Sequence, residues 1–199
     1  MNKQILLLAG LILSVLSCCA TDDEETDNDA SVKTQALEAC SLINEVRANP
    51  SAYSSQMGVD LSEISSRPAL TWNSSLAKVA QEKAEDMANN NYFSHTDLNG
   101  YGINYYIHKA GYEIPESWYS TTSSNYFENI AAGNSSADAM VKQLIYDSGA
   151  DNSSAGHRSS LLGISDWNSN CTDIGIGYAY NADSQYKYYW SVIIAKHDY

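Results

Sequence analysis

The 199-residue chain carries 24 acidic and 11 basic side chains, a net charge of −13, which repels phosphate backbones and excludes nucleic acid as a partner. Its length suits a single domain behind a leader and a tether, with enough residues to bury a sizeable core. Fifteen tyrosines against two phenylalanines favour aromatics with a polar tip, as half-buried packing or shallow binding surfaces do.

Residues 1–17 read as a lipoprotein signal peptide: Lys3 supplies a short positive region and Ile5 to Leu16 an apolar run too short to span a bilayer comfortably. The ending Val15-Leu16-Ser17-Cys18 resembles a bacterial lipobox, in which Cys18 becomes the lipid-bearing first residue. Cys19 is the alternative, and a plain signal peptide that happens to contain cysteines is the other reading. Residues 18–34 form an acidic tether, with the charge run Thr21 to Asn28 lacking any apolar period. An acidic patch just after the lipid cysteine also resembles the surface-export signal of some bacterial lipoproteins. The chain is therefore expected to be an outer-membrane lipoprotein, held to the membrane through its anchor and exposed at the surface.

The folded domain is expected over 35–199. From Gln35, Leu37, Cys40, Leu42, Ile43 and Val46 recur at helical spacing until Asn49-Pro50 stops the run. Ser51 to Ser66 is polar and irregular. A long helix follows: Asn73 or Ser74 can cap it, and an alanine stripe (Ala77, Ala80, Ala84, Ala88) lets another layer approach closely while Lys78, Glu82, Lys83 and Glu85 stay wet. Asn89-Asn90-Asn91 ends the periodicity, and His95 then leaves a rigid element at a fixed place.

A short helix is predicted around Ile103 to Ala110, ended by Gly111, and a long loop over Glu113 to Tyr126. Ala137, Met140, Val141, Leu144 and Ile145 trace an amphipathic helix that Ser135 or Ser136 can cap. Asp147 then lies at the negative end of that helix, where the macrodipole disfavours a carboxylate. That position asks for an explanation. Asp173 to Tyr180 and Tyr186 to Lys196 alternate around a turn and read as an antiparallel hairpin. Helices first and a sheet late imply α+β layering.

In this order, Leu42-Ile43-Asn44-Glu45-Val46-Arg47, Leu70-Thr71-Trp72-Asn73 through Phe93-Ser94-His95, Glu128-Asn129-Ile130-Ala131, Gly156-His157-Arg158 with Leu161-Leu162, and Ile174-Gly175-Ile176-Gly177 with Tyr189-Trp190 resemble the CAP superfamily of cysteine-rich secretory, antigen-five and pathogenesis-related-one proteins. The resemblance runs from Leu42 to Lys196. It implies a three-layer α-β-α sandwich around a mainly antiparallel sheet, with His95, Glu128 and His157 converging in a cleft. The family's fourth member is a glutamate, for which Asp147 is the nearest match, one methylene shorter; Leu144 stands where the family often has tryptophan. The insertion Glu113 to Tyr126 departs from compact bacterial members and is expected to cover or shape the cleft.

In some members of the family this cleft binds zinc. Two imidazoles with carboxylates suit zinc or a similar divalent cation. With His95 and His157 as the nitrogen donors and Glu128 beside them, weak and exchangeable binding is expected. No His-Glu-x-x-His pair exists, and Ser94 and Ser159, beside the histidines, sit in no nucleophile-elbow pattern. His108 and His197 are read as structural or exposed. An extracellular binding module of unknown ligand, monomeric, ranks above a metal-dependent hydrolase; a surface adhesin using the aromatics of 101–126 is the third reading. Cys40 and Cys171, the two cysteines inside the folded region of a protein outside the cytosol, are expected to pair, with a gain of roughly 3 to 5 kcal/mol on the chain-entropy argument.

Overall fold

The computed structural model describes residues 27–197 except 153. The signal peptide, Cys18 and most of the tether lie outside the described residues. Helix α1 (Asp27–Ala48) starts ahead of the expected Gln35, so 27–34 is helical. Its early turns are tied down: Val32 packs on the core, and Gln35 Oε1 accepts a hydrogen bond from Ala137 N at 2.8 Å. Ala36, Ala39, Cys40, Ile43 and Val46 form its buried face. Leu37, expected there, is exposed because it falls one position off that stripe. The irregular stretch after Pro50 holds a helical turn, α2 (Ser54–Met57), which buries Met57.

A two-residue strand β1 (Thr71–Trp72) leads into α3 (Ser74–Asn89), whose N-cap is Asn73: its side chain accepts from Ser75 N and Leu76 N. Next come α4 (Ile103–Lys109), α5 (Glu116–Tyr119), β2 (Glu128–Ala132), α6 (Ala137–Tyr146), α7 (Gly156–Leu162), α8 (Asp166–Ser169) and the hairpin β3 (Asp173–Tyr180) and β4 (Tyr188–Ala195). The sheet order is β1-β3-β4-β2, with β1 parallel to β3 and the other pairs antiparallel. Helix α3 covers one face and α1 with α6 the other, giving the α-β-α sandwich.

The alanine stripe of α3 meets glycines. A Cβ added at Gly175 would lie 2.2 Å from Ala77 N, and one at Gly177 2.2 Å from Ala80 C and O. Helix and strand are therefore in backbone contact, which only small residues on both sides permit. The 113–126 insertion is stapled by buried Asn104, whose Nδ2 donates to Trp118 O at 2.8 Å and whose Oδ1 accepts from Tyr126 N at 3.0 Å.

The expected disulfide is corrected. Cys40 and Cys171 are free, buried thiols. Each sulfur has its own partner one helical turn away: Cys40 Sγ accepts from Asn44 Nδ2 at 3.9 Å, and Cys171 Sγ donates to Trp167 O at 3.7 Å. Both act as small apolar core groups, and burial pushes the Cys171 thiol up to about 11.

Candidate functional site

The four residues singled out in the sequence form two imidazole–carboxylate pairs. On the α3 side of the sheet, His95 Nδ1 lies 3.0 Å from Glu128 Oε2, and the other carboxylate oxygen accepts from Ser191 Oγ at 2.8 Å. Glu128 is delivered by β2 and Ser191 by β4, and their side chains share one face because residues of a strand alternate. The Glu128 side chain is fully buried while the His95 ring is 41% exposed.

On the opposite side, His157 Nδ1 lies 2.8 Å from Asp147 Oδ1. Asp147 is the C-cap of α6, in the left-handed conformation (φ 48°). That geometry turns its carboxylate away from the end of α6 and onto the start of α7, where Oδ2 accepts from His157 N at 2.9 Å and Arg158 N at 3.5 Å. The acid that is misplaced on α6 is thus well placed as an acceptor for the first amides of α7. Burial pushes the Asp147 carboxyl up. The hydrogen bond and charge of the His157 ring, with the two backbone amides, outweigh burial and hold it below the usual carboxylate range.

An ionised carboxylate only accepts, so each Nδ1 donates to it, and in the neutral form of either ring the lone pair then lies on Nε2. Neither Nε2 has a partner among the described residues. Both rings line a cavity of about 490 Å³ with Phe93, Ile130, Leu144 and Ser148. They also line an adjoining cavity of about 370 Å³ with Asn125, Glu128, Asn129 and Ser160. Tyr126, at the end of the insertion, lines the second cavity, so the insertion shapes the cleft.

Two further residues that sequence reasoning left without a role hold this arrangement. Arg158 is fully buried and its guanidinium donates to Ile145 O at 2.6 Å, Tyr146 O at 2.9 Å and Asn152 Oδ1 at 2.8 Å, closing the orphan carbonyls of α6. Ser191 fixes Glu128. The signal for Arg158 lay in the Gly156-His157-Arg158 motif; Ser191 has none, since a serine in a strand is ordinary. His108 stacks on Tyr119 at 3.7 Å, and His197 stacks on Tyr112.

The donor set does not make a closed metal centre. All four carboxylate oxygens of Glu128 and Asp147 are committed to hydrogen bonds, and no group of three or more His, Cys, Asp or Glu among the described residues is placed to hold an ion. Two uncommitted imidazole nitrogens remain. Each is backed by a carboxylate, the arrangement that orients histidines both as ligands and as bases.

The sandwich is that of known proteins. The chain is similar to an extracellular protein containing an SCP domain from Bacillus anthracis str. Ames, at 22% identity over 86% of this chain and 44% of that one, with TM-score 0.55. It is also similar to an outer surface protein from Borrelia burgdorferi, at 19% identity over 81% of this chain and 94% of that one, with TM-score 0.52. It thus spans less than half the length of the Bacillus protein. No curated protein matches the sequence. Residues 40–194 match the model of CAP, the cysteine-rich secretory protein family, and the chain belongs to that family.

Proposed function

We propose that the protein is a monomeric extracytoplasmic binding module, anchored by a lipid on Cys18, whose ligand occupies the cleft between His95 and His157. The observation that supports this most is the pair of carboxylate-backed imidazoles, brought from different layers of the sandwich to one cavity. The location is supported by the leader and by the two similar structures, one of an extracellular protein and one of an outer surface protein. Among the described residues no helix is long and apolar enough to cross a membrane. Intact-mass analysis of the native protein should show an acylated N-terminus at Cys18; a product beginning after Ala20 would overturn the anchor.

A divalent ion such as zinc would have the two Nε2 atoms as its protein ligands, hence weak, exchangeable binding. Affinity should fall in acid, because a protonated imidazole has no lone pair to give a metal. Calorimetric titration of metal-stripped protein with zinc tests this, with His95→Ala and His157→Ala as controls. Loss in both variants supports a shared site, and equal binding by wild type and both variants places the ion elsewhere. A hydrolase is the second reading, favoured by the same Nε2 lone pairs, since that is where a general base works. Turnover abolished by His157→Ala would decide for it.

A further inference from the structure

We infer that the outer edge of β2 is a docking strand for an extended peptide laid through the cleft between the two histidines. This rests on the reading of the cleft as a binding site and names the class of its ligand. β2 is the last strand of the sheet. Ile194 N donates to Phe127 O and Gly133 N to Tyr188 O, both at 2.9 Å. In the same register, Asn129 lies opposite Val192 and Ala131 opposite Trp190. In an antiparallel pair the bonded positions alternate, so Phe127, Asn129, Ala131 and Gly133 face β4, while Glu128, Ile130 and Ala132 turn their N–H and C=O groups outward.

The first outward position is already filled. Asn125 Oδ1 accepts from Glu128 N at 2.9 Å, and Asn125 Nδ2 donates to Glu128 O at 3.3 Å. One side-chain amide therefore stands in for a neighbouring strand and closes the edge at that end. Ile130 and Ala132 have no such partner among the described residues. Ile130 is only 7% exposed, yet it lines the cavity that holds both histidines. A main-chain donor and acceptor left unpaired at such a place favour whatever supplies both.

The two open rungs repeat every second residue, about 6.7 Å along the strand. A second extended chain has the same repeat of donors and acceptors, which the hydroxyls of a sugar polymer lack. The walls set the side chains: Phe93 and Leu144 offer apolar contact, while Asp147 and the net charge of −13 favour a basic partner.

The probe is a terminally blocked decapeptide of alternating valine and lysine, titrated into isotope-labelled protein and followed by amide NMR. The Ile130 and Ala132 amides should shift, and their solvent exchange should slow at least tenfold at saturation. Ala132→Pro deletes one outward N–H and no ladder bond, a substitution that edge strands accept. It should weaken binding at least fivefold with the melting temperature kept, and the amide exchange of the wild type decides the matter should that variant not fold. The same peptide N-methylated at every backbone nitrogen should not bind. Equal binding of the methylated peptide, or protection of amides other than these two, would overturn the docking strand. So would a hexamer of N-acetylglucosamine that shifts these amides when the peptide does not. If the peptide fails while zinc still depends on both histidines, only the peptide is lost; failure of both removes the cleft reading as well.

Discussion

His95 follows α3, a helix whose alanines lie directly on the glycines of β3, whereas His157 opens α7, a short helix joined to α6 by a polar elbow. The first seam is dry and held by shape. A Cβ on either glycine would meet helix backbone 2.2 Å away. The elbow is held by hydrogen bonds: Asp147 accepts from the amides that open α7, and Arg158 reaches back to the last carbonyls of α6. The seam beneath His95 should therefore be sensitive to added atoms. The elbow should tolerate small changes of volume and respond to the loss of a polar atom or of a charge.

The largest effect is expected at the seam. Gly177→Ala should destabilise by about 3 kcal/mol or more, lowering the melting temperature by roughly 10 °C, because α3 must lift off the strand. A thermal melt checks it, and a loss under 1 kcal/mol would mean that the two backbones separate easily. At the elbow, Arg158→Ala should cost about 2 to 3 kcal/mol by leaving buried carbonyls of α6 unpaired. Arg158→Lys should not recover it, since one ammonium cannot reach three divergent acceptors. Denaturant unfolding of both variants measures the difference.

Asp147→Asn comes next, with a loss of about 1 to 2 kcal/mol near neutral pH. Its sign with pH follows from the direction of the shift. The folded carboxyl is held below its ordinary value, so its stabilisation is complete above about pH 3.9 and is lost as pH falls through the lower folded value. The gap between wild type and variant should close in acid; a gap that stays constant down to pH 2 would mean that charge plays no part. The smallest effect is expected at Ser191→Ala, about 1 kcal/mol, because Glu128 Oε1 loses the hydroxyl that donates to it in a buried position. It should also loosen the His95 ring, seen as faster ring exchange by NMR, and leave His157 unmoved.

Much of the fold was legible because local rules decide it. The side chain of Asn73 caps α3, the spacing of small residues marks its seam, and alternation around Asn181 to Ser184 gives the hairpin. The strand β2 was not legible. It is five residues long and nearly all buried, so it shows no alternation of polar and apolar positions. The insertion carries a helical turn tied down by contacts from outside it, among them Asn104 of the preceding helix and Trp167 against Trp118.

The sequence by itself placed His95, Glu128 and His157 at the ends of elements, through motif order, and set the core faces of α3 and α6 by their helical period. It could not say what those side chains bond to. Glu128 and Ser191 are 63 residues apart, and Glu128 and His95 33; register and layer packing alone bring them within hydrogen-bond reach. The same holds for the two cysteines, whose compartment and number suggested a pair, while in the fold each sulfur has a partner of its own. Asp147 stands in the sequence at a position on α6 that the macrodipole disfavours, and only the left-handed turn at its own backbone shows the carboxylate serving the next helix. Local periodicity is written in neighbours along the chain, whereas the protonation and orientation of a cleft depend on groups that meet only once the layers have closed.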